Sequence, residues 1–380
     1  MTGAVADPDR LVAAGDLAGA AAVLEATLGP GSPTDAWLKL AGLRRALRQP
    51  QRALDAVHQA LAVSPLDFVA LIMRAGLLER LGDANAGEAW GEALAQRVPG
   101  ELPPPLATAV AHGEEVHTAW LGAREAALGG RIESVLTEAS QEEGARIARF
   151  ASNALRKTRP YHSEPTHFHF PGLVEREFHP RSAFPWLAEV EAASAEIRDE
   201  MRAVIASERA ELVPYLDYEA HEALAQWKPL NRHRDWTAVH LWQQGRRVDA
   251  NANQCPRTMA LLARLPQPDI PGASPNAMFS LLAPHTTIPP HVGVNNARLV
   301  CHLALDIPEG CWFRVGAETR DWREGEVFVF DDTIEHEAAN PSARLRVVLI
   351  FDVWHPGLTE IEQRGAAAVV AGMGAPAGGL

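Results

Sequence analysis

Apolar residues change their spacing twice along the chain. Up to about residue 100 they recur at helical intervals among alanines and leucines, and the pattern repeats itself. Setting Thr34–Pro65 against Phe68–Pro99, an offset of 34 residues, places Trp37 on Leu71, Ala41 on Ala75 and Gly42 on Gly76. The same offset places Leu43 on Leu77, Leu47 on Leu81 and Pro65 on Pro99. The second helices agree only after a slip of one residue, when Ala60-Leu61-Ala62 meets Ala93-Leu94-Ala95. Asp7–Leu28, with a turn at Gly15-Asp16, reads as a degenerate repeat ahead of these two, and Pro103–Leu128 as capping helices. Residues 130 to 225 are mixed: a helix near Ile132–Leu155, an irregular segment Thr158–Pro185, then a helical stretch Pro185–Glu208. From about Trp227 the texture becomes β. Short apolar runs (Ala277–Leu282, Arg298–Ile307, Val327–Phe330, Leu345–Val353) alternate with Pro, Gly, Asp and Asn breaks, and helical periodicity survives only in Pro256–Leu265. Many short strands with turn signals predict a barrel or jelly roll, not a parallel sheet.

The N-terminal period resembles the tetratricopeptide repeat, in which small residues let paired helices approach and a proline closes each pair. The expected class is therefore α+β multidomain: a tetratricopeptide-like helical solenoid followed by a β domain with flanking helices. The expected boundaries are 1–128 for the repeats, 129–225 for a helical and irregular lead-in, 226–360 for the β core and 361–380 for a flexible tail.

Composition narrows the partners. Of 380 residues, 47% are apolar and 22% charged, which suits packed cores. The net charge of −13 disfavours nucleic acid and anionic membrane surfaces as partners. The N-terminus lacks a basic-then-apolar leader and no apolar run reaches a membrane span, so a cytoplasmic location is expected. Cys255, Cys301 and Cys311 include no CxxC pair, which argues against a disulfide framework and a thiolate zinc site.

The candidate chemistry lies between Ser280 and Arg346. His291 and His336 stand 45 residues apart, and on spacing alone either is a core histidine or a metal ligand. A non-haem iron centre uses two imidazoles and usually a carboxylate, leaving neighbouring positions open. In the usual form the carboxylate lies two residues after the first histidine; here that residue is Gly293. His167-Phe168-His169 looks superficially like a metal pair, but its prolines and aromatics suit a packed entry segment. Trp236, His240, Trp242 and Arg246-Arg247 suit either a substrate cleft or a tryptophan-rich core.

The words around the two histidines form one connected pattern. Ser280-Leu281-Leu282-Ala283-Pro284 leads to His291-Val292-Gly293, Asn296-Ala297-Arg298-Leu299 and His302-Leu303. Gly310-Cys311, Arg314-Val315-Gly316, Trp322-Arg323-Glu324-Gly325 and Phe330-Asp331-Asp332 follow, then Glu335-His336-Glu337 and Asp352-Val353-Trp354-His355-Pro356. With the lead-in Phe170-Pro171-Gly172-Leu173 and Phe184-Pro185-Trp186-Leu187, the pattern covers roughly 160–359. It closely resembles the aspartyl/asparaginyl β-hydroxylase family of 2-oxoglutarate-dependent oxygenases.

The resemblance implies a double-stranded β-helix that holds Fe(II) through His291 and His336 alone, which agrees with Gly293. Asp332 is then the outer-sphere candidate to orient a metal-bound water, the alternative being a turn residue that caps the strand end. The resemblance assigns Arg346 and Ser280 to the distal carboxylate of 2-oxoglutarate, and His302 to the carboxylate beside the keto group. Animal members carry a second arginine where this chain has Val300; Arg298, two residues earlier on the same strand face, is the candidate to compensate. The implied reaction consumes O2, converts 2-oxoglutarate to succinate and hydroxylates a C–H bond. The expected substrate is the β-carbon of Asp or Asn in a polypeptide recruited by the repeats. A free amino acid or other small molecule, a non-catalytic repeat scaffold and a non-oxidative cupin are the readings left open.

Overall fold

The computed structural model describes residues 7–97, 99–207, 212–219, 221 and 227–374. They divide into two compact units, 1–155 and 156–380.

The first unit is helical. Its elements are α1 (Pro8–Ala13), α2 (Leu17–Thr27), α3 (Thr34–Ala46), α4 (Pro50–Val63), α5 (Phe68–Arg80), α6 (Ala86–Leu94), α7 (Pro104–Glu138) and α8 (Gln141–Ala154). The starts of α3 and α5 lie 34 residues apart, as the repeated pattern requires. Asp16 and Asp67 open α2 and α5 by accepting from the backbone N–H of Gly19 and Ala70, which otherwise lack helical partners. The matched small residues Ala41, Ala75, Ala60 and Ala93 are wholly buried, so consecutive helices pack closely. The expected boundary at 128/129 does not fall between elements. It lies inside α7, which runs unbroken to Glu138, and the break comes at Ser140, whose capping box with Glu143 starts α8.

The second unit carries the β structure. After the irregular segment 156–186 come α9 (Leu187–Ala192), α10 (Ser194–Ala206), β1 (Leu212–Pro214), β2 (Trp236–Gln243), β3 (Arg246–Arg247), α11 (Asp249–Ala252) and α12 (Pro256–Leu262). Then follow β4 (Ala277–Leu282), β5 (Thr286–His291), β6 (Arg298–Asp306), β7 (Trp312–Val315), β8 (Glu318–Asp321), β9 (Val327–Phe330), β10 (His336–Asn340), β11 (Arg346–Trp354) and α13 (Glu360–Met373). Two antiparallel sheets result. The larger has the order β1-β2-β4-β11-β6-β9, with β3 beside β2, and the smaller β5-β10-β7-β8.

The alternation of side chains explains why the strands read as continuous apolar runs. Phe279 and Leu281 of β4, Leu299, Cys301 and Leu303 of β6, and Val347, Leu349 and Phe351 of β11 pack with helix residues Leu187, Ile197, Met201 and Leu262. Their strand neighbours Met278, Leu282, Val300, Ala304, Val348 and Ile350 point the other way, toward Ile288, Phe313 and Ala338 of the smaller sheet. A sheet covered on both faces has no polar side to display. The inner layer contains the polar exceptions: Ser280, Arg298, His302 and Arg346, all buried.

The expected flexible tail is corrected over most of its length. Glu360–Met373 form α13, opened by a Thr359–Glu362 capping box. Ala366 and Val370 are buried on one side of the helix, and Ala366 packs in a small cluster with Ala297, Leu358, Phe170, Leu173 and Trp354. Residues 375–380 lie outside the described residues.

Candidate active site

Strand pairing brings His291 and His336 together. His291 ends β5, His336 begins β10, and the two are direct partners across the antiparallel ladder. Their ring centroids are 3.9 Å apart. Each imidazole is fixed by its own turn: the Nδ1 of His291 lies 2.8 Å from the carbonyl of Pro289, and that of His336 3.1 Å from the carbonyl of Ile334. A carbonyl only accepts, so the proton sits on Nδ1 and the Nε2 lone pair is free on both rings. Burial holds both rings neutral, lowering the pKa of His291 to about 3 and of His336 to about 4. Two neutral, oriented imidazoles fit a metal ion. Among the described residues no group of three or more His, Cys, Asp or Glu side chains converges for that purpose.

Gly293 and Asp332 share one space. A Cβ built on Gly293 would stand 2.1 Å from Oδ2 of Asp332, a separation no pair of such atoms tolerates. The backbone N–H of Gly293 also donates to the Asp332 carbonyl at 2.7 Å. The glycine therefore leaves room for a carboxylate delivered by the loop before β10. Asp332 is buried, accepts from Nη2 of Arg298 at 3.1 Å, and keeps Oδ1 without a protein partner. Burial raises its pKa, while the charge and hydrogen bond of Arg298 restrain the rise.

Arg298 itself does not line the cavity, contrary to the expectation that it replaces the arginine missing at Val300. It shares an inward strand face with Val300 and His302, but its guanidinium is drawn to Asp332. Burial works against its charge; Asp332 and Asp352 outweigh that and raise its pKa.

A cavity of about 550 Å³ opens between the sheets. Its wall includes His291, His336, Asp332, Ser280, Val300, His302 and Arg346. Arg346 begins β11 and is 1% exposed. Its guanidinium lies over the Trp322 ring at 5.1 Å, no carboxylate pairs with it among the described residues, and its Nε and Nη1 are buried without a hydrogen-bond partner. Burial pulls its pKa down to about 10. A cation so placed is costly until an anion reaches it. His302 stands nearby with its Nδ1 unpartnered, its pKa lowered by burial and then by Arg346. The Ser280 hydroxyl accepts from Nε1 of Trp236 at 3.1 Å.

The rest of the wall is aromatic. Tyr215 stacks on Trp236 with centroids 3.8 Å apart, and Trp227 meets the His291 ring edge-on at 4.9 Å. Of the five positions suggested for a substrate cleft, only Trp236 lines the cavity; Trp242 packs on the helix side of the sheet. Tyr215 and Trp227 carried no sequence signal, because they lie outside any strand that the periodicity marks. His167 reaches the rim, exposed, with its Nδ1 2.8 Å from the Thr166 hydroxyl.

Residues 191–356 match the family described as Aspartyl/Asparaginyl beta-hydroxylase. The human aspartyl/asparaginyl beta-hydroxylase is 41% identical over 137 residues, covering 36% of this chain and 18% of that protein. The ornithine lipid ester-linked acyl 2-hydroxylase of Rhizobium tropici is 33% identical over 178 residues, covering 46% of this chain and 59% of that protein. This chain thus spans less than two thirds of the length of either. A cupin_2 domain of a transcriptional regulator from Enterobacter cloacae aligns with 32% of this chain and 98% of its own, at 11% identity and TM-score 0.22. The segment that carries the strands of both sheets is thus similar to the aspartyl/asparaginyl beta-hydroxylase family.

Proposed function

We propose that this chain is an Fe(II)- and 2-oxoglutarate-dependent oxygenase, acting on the β-carbon of an Asn or Asp side chain in a polypeptide. The observation that carries the reading is Arg346, a buried cation without a counter-charge on the wall of the cavity that also receives His291 and His336. A dicarboxylate with a keto group is the ligand that satisfies both features.

In this reading His291 and His336 hold the iron through Nε2, and the iron supplies the oxidising chemistry when bound. Arg346 pairs with the distal carboxylate of 2-oxoglutarate, with the Ser280 hydroxyl beside it. His302, neutral, offers its unpartnered nitrogen to the carboxylate at the keto end. Asp332, held by Arg298, presents Oδ1 as an acceptor for a metal-bound water in the space Gly293 leaves. The aromatic wall keeps bulk water from the reacting end of the substrate.

The β unit is read as a double-stranded β-helix and the helical unit as a tetratricopeptide-like solenoid that recruits the polypeptide. The three cysteines are free and buried, and no described helix is long and apolar enough to cross a membrane. A cytoplasmic location is part of the proposal. The test is to incubate the purified chain with Fe(II), 2-oxoglutarate, O2 and a proteome-derived peptide mixture. A peptide gaining one oxygen on Asn or Asp, with matching succinate, supports the reading; succinate without any oxidised peptide counts against the polypeptide substrate.

A further inference from the structure

Trp322 stands behind the cavity wall, against two of the groups that form it. The residue follows β8 and precedes β9, where the chain passes from the smaller sheet to the larger. The turn after it is tied to β6, the strand of His302. Gly325 donates to the carbonyl of Ala304 at 2.9 Å, and Ala304 donates to that of Glu326 at 3.1 Å. Trp322 is 6% exposed and packs with Phe313 and Phe328, at centroid distances of 5.4 and 6.4 Å. It is not among the described residues that line the cavity. Its ring meets two that are: the Arg346 guanidinium lies over it at 5.1 Å, and the His302 imidazole stacks at 6.2 Å with 21° between the planes.

We infer that Trp322 is a positioning residue for 2-oxoglutarate, whose ring takes the face of the Arg346 guanidinium so that the N–H edge meets the distal carboxylate. The inference rests on the proposed placement of the co-substrate at Arg346. A guanidinium stacks on aromatic rings through its faces, while its edge carries the donors that match a carboxylate. The separation lies within cation–π reach, about 6 Å. A ring over one face fixes the plane without using a donor, and Nε and Nη1 of Arg346 have no hydrogen-bond partner. A side chain held in this way gives up little freedom when the carboxylate arrives. The same ring borders His302, so one residue sets the spacing of the groups assigned to the two ends of the ligand. The role requires a flat ring. An aliphatic side chain fills part of the space but leaves the guanidinium plane free to turn.

The test compares the full chain with its Trp322→Leu and Trp322→Phe variants, loaded with Zn(II), which blocks turnover, by calorimetric titration with 2-oxoglutarate. Trp322→Leu is expected to bind at least about tenfold more weakly, and Trp322→Phe, which keeps a flat ring, within about threefold of wild type. With Fe(II) in place of Zn(II), the Leu variant should raise the KM for 2-oxoglutarate and leave kcat nearly unchanged. A smaller loss in the Leu variant, or an equal loss in the Phe variant, overturns the inference. A measurement on the wild-type chain covers a Leu variant that fails to fold. The magnetic resonance signal of the Arg346 side chain, assigned by its absence in Arg346→Met, should show the upfield shift of a group over an aromatic ring. That shift should persist when 2-oxoglutarate is added; its absence, or its loss on binding, overturns the inference. Failure of the wild type to bind 2-oxoglutarate overturns the co-substrate placement and this inference with it. Loss of binding in Arg346→Met with full affinity in Trp322→Leu overturns this inference alone.

Discussion

Replacing Arg346 by Met separates stability from ligand binding, because the two effects have opposite signs. Methionine keeps most of the volume and apolar stem, so no large cavity forms, as it would with alanine. In the free protein the guanidinium is 1% exposed, and burial has brought its pKa down to about 10. At about 1.4 kcal/mol per pKa unit, keeping that charge inside costs the fold about 3 kcal/mol. Arg346→Met should therefore leave the ligand-free β unit as stable as wild type or more so. Binding of 2-oxoglutarate should lose the buried ion pair, about 3–5 kcal/mol, which weakens affinity by about two to four orders of magnitude. The assay is denaturant unfolding followed by tryptophan fluorescence, with Zn(II) present and 2-oxoglutarate absent or added. Ligand at 100 times its wild-type Kd stabilises wild type by about 2.7 kcal/mol and the variant by almost nothing. A variant that unfolds more easily without ligand yet gains the full 2-oxoglutarate increment would refute the reasoning.

Other perturbations test separate parts of the site. Gly293→Ala drives a methyl group into Asp332, so it should displace that carboxylate and weaken metal affinity, measured by competition with a chelator; unchanged affinity would mean Asp332 has no part in holding the metal site. Val300→Arg should leave 2-oxoglutarate affinity unchanged or improve it, and a marked loss by titration would show that this face does not meet the keto end. Removing residues 1–155, a unit with its own core, should preserve 2-oxoglutarate consumption while raising the KM for a polypeptide substrate; equal KM would reject recruitment by the helices. His240 is half-buried with its Nδ1 enclosed and unpartnered, and desolvation lowers its pKa to about 4. The unfolded chain binds that proton first, so this contribution is intact above pH 6.5 and falls by about 3 kcal/mol as pH drops to 4. His240→Gln should flatten the acid limb of the stability profile by up to one proton, and an unchanged slope would show that His240 is not its source.

The parts of the fold that were legible were those whose two faces meet different neighbours in a regular way. The repeat offset located α3 and α5 because small residues must recur where helices touch. The runs around Phe279, Cys301 and Leu349 marked β4, β6 and β11 because both faces of that sheet are covered. The smaller sheet was harder to read. Its strand β5 contains Pro289-Pro290, which local propensity assigns to a loop, and β10 contains Ala338-Ala339, which suits a helix equally well. Only their pairing with each other, and that of β10 with β7, makes them strands. The site followed the same division. His291, His336, Ser280, His302 and Arg346 stand in a recognisable order of words, and the fold gathers them at one cavity. The destination of Arg298 depended on a through-space partner, Asp332, that lies 34 residues away, and strand alternation says nothing about how far a guanidinium bends. The aromatic wall was equally hidden, since Tyr215 and Trp227 reach the cavity from irregular chain.

The most direct measurement is succinate released from 2-oxoglutarate by the purified chain in air, with and without added Fe(II). Succinate formation is expected to require the iron, to stop on chelation, and to disappear in His291→Ala and His336→Ala while their circular dichroism matches wild type. Wild-type turnover in either histidine variant, or no consumption of 2-oxoglutarate by the iron-loaded protein, would contradict the account.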